Sequence, residues 1–162
     1  MENLKDILNS KYVDGALVAS EDMALSLDIL DTQNSDMLDF IRKKFHLTCK
    51  AYGKLSIDMP YTWSNINNLK KELNHIKKLG IVAKSTVKAS HCKIINNYLT
   101  PTKKEVLKSS KIINSYEEAL KNKNVQTLNN GRYLELPSFI SAQKIIKRHQ
   151  DFVKYYKASK IK

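Results

Sequence analysis

Between Ser64 and Gly80, the apolar residues Ile66, Leu69, Leu73 and Ile76 recur at three- and four-residue intervals, and the remaining positions are almost all Asn or Lys. That spacing places the apolar side chains on one stripe of a helix and the polar ones around the rest. Ser64 has the side chain of an N-cap, and Gly80 suits the left-handed stop after a last turn. The segment 64–79 is therefore predicted to be a helix that buries one stripe against neighbouring elements.

Those neighbours are predicted to be mostly helical too, because four glycines and three prolines leave few breaks in 162 residues. Residues 2–9 and 20–30 read as short helices, the second with Ser20 as cap and Glu21 and Asp22 in its first turn. VDGALVA between them is open to a strand reading. From Ser35 to Leu47, Met37, Leu38, Ile41 and Phe45 share a helical face, with Asp36 and Asp39 early and Arg42, Lys43 and Lys44 late. A shorter apolar set, Ala51, Leu55 and Ile57, precedes a turn expected at Pro60. IVAKSTVKA and HCKIINNYLT are β-branched and alternate by about two, so they read as a hairpin with ASH at its tip. Helix returns after Thr100 and Pro101, read as its cap and first residue, and a last helix spans 137–156. The fold class expected is mainly α with a small β-hairpin.

The net charge of +12 points to a polyanionic partner. It is placed unevenly: residues 1–40 hold nine acids and two lysines, net −7, and the rest holds 26 bases and seven acids, net +19. No run of about 18 apolar residues is present to span a bilayer, and MENLKDILNS lacks the order of a signal peptide, so a cytoplasmic location is expected. Cys49 and Cys92 lie 43 positions apart without metal-ligand spacing and are read as reduced thiols. No nucleophile and base, carboxylate pair or phosphate loop stands at a catalytic spacing. Asp36 with Asp39 and Glu117 with Glu118 read as helix-surface acids, so no catalytic residue, metal or cofactor is expected.

The order of elements, with Leu73, Ile76, Gly80, Ile81 and Val82 closing the polar helix and Asn97, Tyr98, Leu99, Thr100 and Leu107 following the hairpin, resembles the winged helix-turn-helix regulators of the MarR and PadR type. The resemblance covers residues 35–110. It implies an acidic N-terminal helical segment over 1–34, a winged helix-turn-helix domain over 35–110, and a C-terminal helical segment over 111–162 that pairs two subunits into a homodimer. It implies a sequence-specific regulator of transcription that binds double-stranded DNA and is not an enzyme.

In such a regulator the helix enters the major groove. Thr62, Ser64, Asn65, Asn67 and Asn68 near its start would meet bases or phosphates, with Lys70 and Lys71 on phosphates. The hairpin over 83–95 would offer Lys84, Ser85, Thr86, Lys88, His91 and Lys93 to the flanking backbone. Trp63 reads as a core plug. His91 is not read as a metal ligand, since adjacent Cys92 would point to the opposite face of a strand. Two other readings stand beside this one: an RNA or non-specific nucleic-acid binder that stacks bases on Tyr52, Tyr61, Trp63 and Tyr98, and a protein-interaction module.

Overall fold

The computed structural model describes residues 2–122, 128–129 and 132–159, which divide into two compact units, 1–99 and 100–162. The first unit is built on a three-stranded sheet of β1 (Gly15–Leu17), β2 (Leu55–Tyr61) and β3 (Ala83–Thr86), in the order β1-β2-β3. Both pairings are parallel, with Gly15 opposite Leu55 and Ile57 opposite Ala83. Before the sheet comes α1 (Leu4–Asn9). The crossover from β1 to β2 holds α2 (Ser20–Ser26) and α3 (Asp36–Ala51), that from β2 to β3 holds α4 (Ile66–Lys78), and α5 (Ala89–Leu99) follows β3. Parallel neighbours need such crossovers, so the unit is a run of consecutive βα units.

The expected winged helix does not form. The segment read as a hairpin over 83–95 is the parallel strand β3 followed by α5. IVAKSTVKA alternates as any half-buried strand does, but its partner is β2, more than twenty residues away, rather than the next segment. HCKIINNYL has a helical period as well, and as α5 it buries His91, Ile95 and Leu99 on one face. The apolar set before Pro60 is the central strand. Pro60 interrupts rather than ends it: the register shifts between Asp58 and Tyr61, where proline offers no N–H to a ladder.

Several local readings agree with the structure. VDGALVA contains β1, and Ser35 caps α3 by accepting from the Leu38 N–H at 3.2 Å. The cap of α4, by contrast, is Asn65 and not the expected Ser64: the Asn65 side chain accepts from the N–H groups of Asn67 and Asn68. The helix stops at Gly80, whose φ of +82° lets the Ile81 N–H return to the Ile76 carbonyl at 3.0 Å.

Two apolar clusters hold the first unit. Leu38, Ile41, Phe45 and Cys49 of α3 pack with Leu8, Val18, Ala24 and Met59, while Leu69, Leu73 and Ile76 of α4 pack with Tyr61, Ile81, Ile95 and Leu99. His46, on the buried side of α3, has Nδ1 2.5 Å from the Ser56 hydroxyl. Burial pushes its ring below the ordinary value of 6.5, and Lys50 adds to the shift.

The second unit holds α6 (Lys103–Lys121), the short antiparallel pair β4 (Leu128–Asn129) and β5 (Arg132–Tyr133), and α7 (Leu136–Ser159). α6 starts two residues later than expected, because Thr102 and Glu105 form a reciprocal capping box in which each side chain accepts from the other's N–H. Phe139 of α7 stacks on Tyr116 of α6 with ring centres 4.7 Å apart. No helix of the described residues is long and apolar enough to cross a membrane.

Two outcomes test this packing. A Cβ at Gly15 would lie 2.8 Å from the Leu55 carbonyl oxygen across the ladder, so Gly15→Ala should cost about 1–3 kcal/mol in urea unfolding; a gain in stability would refute the close approach. The unfolded chain protonates His46 more readily than the native one, so this contribution is present above about pH 6.5 and is lost as pH falls through it. The melting temperature of His46→Gln should therefore vary less than wild type between about pH 8 and 5.

Candidate functional site at the strand ends

Because the three strands are parallel, the segments leaving β1 and β2 emerge at one end of the sheet, the carboxyl end, where βα folds hold their ligands. A cavity of about 530 Å³ opens there. Ser20 and Glu21 reach it from the start of α2, Thr62 and Trp63 from the segment after β2, residues 32–35 from the segment before α3, and α3 and α4 complete its walls. The Thr62 hydroxyl donates to Glu21 Oε1 at 3.0 Å, tying the two strand exits together.

The two helices meet the cavity through polar stripes. On α4, Asn68, Lys71, Glu72 and His75 share one face, while Leu69, Leu73 and Ile76 form the core face beside it. On α3, Asp39 and Arg42 play the same part. Between them, Arg42 Nε donates to Asp58 Oδ1 at 2.7 Å and its Nη2 to Glu72 Oε1 at 2.8 Å. Lys84 Nζ donates to Asp58 Oδ2 at 2.7 Å, Glu72 Oε1 at 2.7 Å and the Met59 carbonyl at 2.8 Å, which uses all three of its protons. The Lys84 and Asp58 side chains are 0% and 1% exposed. Two cations and two carboxylates, one from each of α3, β2, α4 and β3, thus neutralise one another under the cavity.

Asp39 lies at the edge of this quartet. Its Oδ2 is 2.6 Å from Lys43 Nζ, and its Oδ1 is 2.6 Å from His75 Nε2 and 3.5 Å from Arg42 Nη1. Burial alone would raise its carboxyl, but the hydrogen bonds and charges of Lys43 and His75 outweigh that and hold it below the usual carboxylate range. Burial would likewise lower Arg42, and the charges of Asp58 and Glu72 raise it instead.

The residues singled out from sequence fare unevenly. Thr62, Asn68 and Lys71 line the cavity. Ser64, Asn65, Asn67, Lys70, Lys88 and Lys93 are exposed outside it. Lys84 is enclosed in the quartet with no proton left for a phosphate. The Ser85 and Thr86 hydroxyls donate to the Asp58 and Tyr61 carbonyls at 3.2 and 3.3 Å. His91 is 1% exposed, with its ring 5.5 Å from that of Tyr61. Trp63, expected in the core, is 45% exposed at the cavity wall. The sequence alone does not single out Arg42, Asp58, Glu72 and His75, and it presents Asp39 as a helix-surface acid. One signal was available: a carboxylate in the middle of LSIDMPY, in a strand that buries its neighbours, requires a cationic partner.

No protein-family model matches the chain. It is 28% identical over 142 residues to the citrate lyase subunit beta of Haemophilus influenzae, covering 86% of this chain and 48% of that one. It is 19% identical over 136 residues to the mitochondrial citramalyl-CoA lyase of Rattus norvegicus, covering 83% and 40%. Among solved structures, it matches CitE of Mycobacterium tuberculosis in complex with magnesium, acetoacetate and coenzyme A, with a TM-score of 0.72 at 15% identity over 91% of this chain and 56% of that one. A citrate lyase of Burkholderia xenovorans LB400 gives a TM-score of 0.77 at 13% identity, covering 93% and 50%. The chain spans about half the length of these proteins.

The structural likenesses show a fold of TIM-barrel-like type, of which three parallel strands are present here. They correct the winged-helix resemblance, and the named relatives correct what followed from it. The two curated relatives are a citrate lyase subunit and a citramalyl-CoA lyase, not transcription regulators, which overturns the expected DNA partner and non-enzymatic role. For the fold the misleading cue was the order of elements, and for the partner it was charge: +12 measures attraction to anions in general, and coenzyme A, bound by one of the matched proteins, is itself a phosphate-bearing anion.

Removing one member of the quartet strands another in a dry site. Lys84→Met should cost about 3–5 kcal/mol in urea unfolding, and a loss under about 1 kcal/mol would show that the quartet does not hold the sheet to its helices.

Proposed function

We propose that this chain carries part of a carbon–carbon lyase acting on a carboxylated β-hydroxyacyl thioester, with the cavity at the strand ends as its substrate site. The observation that carries this reading is the agreement of two independent facts: likeness to two lyases over more than four fifths of the chain, and a polar cavity at the end of the sheet where βα enzymes work. Citrate and the citramalyl group share a tertiary alcohol that bears a carboxylate. For a β-hydroxy thioester, cleavage is a retro-aldol step: the alcohol loses its proton, the bond to the thioester's α-carbon breaks, and a 2-oxo acid and a thioester enolate result. A site for this needs cations for the carboxylate and a group that takes up the proton. Lys71 and His75 line the cavity and are of those types.

Magnesium accompanies one solved neighbour. Among the described residues no group of three or more His, Cys, Asp or Glu side chains is arranged to hold a metal ion, and Asp39, Asp58 and Glu72 are already engaged by Arg42, Lys43, Lys84 and His75. Glu21 and Asp36 are the carboxylates of the cavity wall outside these ion pairs, and magnesium is ordinarily held by one or two carboxylates together with waters. A cytoplasmic setting accords with the free thiols of Cys49 and Cys92.

The test is incubation with citramalyl-CoA and with a citryl thioester, each with and without added magnesium, following 2-oxo acid release by mass spectrometry. Release from either one is expected, with kcat/KM reduced by about 10²-fold or more in Lys71→Ala, a loss of some 2.7 kcal/mol of transition-state stabilisation. No release under any condition would refute the lyase reading.

A further inference from the structure

The walls of the cavity are already cross-linked without His75. Arg42 joins α3 to Glu72 of α4, and Lys84 joins Glu72 to the central strand. His75 and Asp39 add a second bridge between the same helices, but of another character: the His75 side chain is 42% exposed and lines the cavity, whereas Lys84 and Asp58 are sealed beneath it. A bridge left half open at a cavity is poorly placed to add stability and well placed to meet a ligand.

The geometry also fixes which nitrogen is available. With Asp39 Oδ1 accepting from Nε2–H at 2.6 Å, the lone pair of the neutral ring resides on Nδ1. Lys43 on Oδ2, and Arg42 more loosely on Oδ1, keep Asp39 ionised and immobile, so the carboxylate orients the ring and stabilises the imidazolium that forms when the ring takes a proton. An imidazole with one nitrogen held by a carboxylate, on a residue that lines a cavity, has the makings of a general base.

We infer that His75 is the proton-transfer group of this cavity and Asp39 its positioning residue, an inference that rests on the lyase reading. The step balances within the substrate. The carbinol O–H bond breaks and its proton goes to His75 Nδ1. The oxygen's electron pair forms the carbonyl of the 2-oxo acid, and the C–C bonding pair passes to the thioester's α-carbon as the enolate. The imidazolium then returns the proton to that carbon, leaving the enzyme unchanged with no oxidant or reductant needed.

The experiment measures kcat and KM from about pH 5 to 9 for wild type, His75→Gln, His75→Ala with and without imidazole, and Asp39→Asn, using the 2-oxo acid assay. His75→Gln is expected to lower kcat on the order of 10²–10⁴-fold with KM within about threefold, and to abolish the acidic limb of the pH profile. Imidazole should restore part of the activity of His75→Ala. Asp39→Asn should lower kcat, because the ring loses the carboxylate that orients it. In case the variants do not fold, ring ¹⁵N shifts of His75 in the wild-type protein give a second measure: a protonated Nε2 and an unprotonated Nδ1 support the pair, and the opposite tautomer overturns it. An active wild type whose His75→Gln variant keeps both kcat and the acidic limb overturns the inference while the lyase reading stands. A wild type that releases no 2-oxo acid overturns the lyase reading first and this inference with it.

Discussion

The quartet of Arg42, Asp58, Glu72 and Lys84, closed around the sealed Asp58 and Lys84 side chains, is the constraint on which the first unit depends. Each member comes from a different element, so the geometry of α3, β2, α4 and β3 must be satisfied at once for any of the four charges to be paired. Apolar contacts between the same elements tolerate sliding, since burial energy is non-directional. Charge-assisted hydrogen bonds of 2.7–2.8 Å do not, because an unpaired charge in that site is far costlier than a misplaced methyl group. The quartet thus sets the register of the helices against the sheet, while the two apolar clusters on either side supply most of the driving force.

The same arrangement explains how a polar cavity survives between two helices that would otherwise close on each other. α4 carries its core residues and its cavity residues on adjacent stripes, so packing Leu69, Leu73 and Ile76 inward necessarily turns Glu72 and His75 toward α3. With Glu72 committed to the cations below and Asp39 to Lys43 and His75, the deep wall is neutral and rigid. Groups on the rim, among them Glu21 and Lys71, are left to meet a ligand from outside the quartet. A preorganised wall of this kind would suit the retro-aldol step proposed above, in which charge moves without large displacement of atoms.

What the sequence determined by itself was local. The stripe of Ile66, Leu69, Leu73 and Ile76 makes α4 a helix in almost any fold, the αL-tolerant Gly80 ends it, and Ser35 begins α3, because periodicity, caps and stops act through bonds a few residues long. The partner of each strand was decided only by tertiary structure. β1 and β2 pair at a separation of forty residues, and β3 joins β2 in parallel, whereas the alternation in IVAKSTVKA fits a hairpin equally well. The site was hidden for the same reason. Asp39, Arg42, Asp58, Glu72 and His75 sit in ordinary local contexts and gain their chemistry only when a parallel sheet brings α3 and α4 side by side, since the energy of a charge is set by what surrounds it in space and not by its neighbours along the chain.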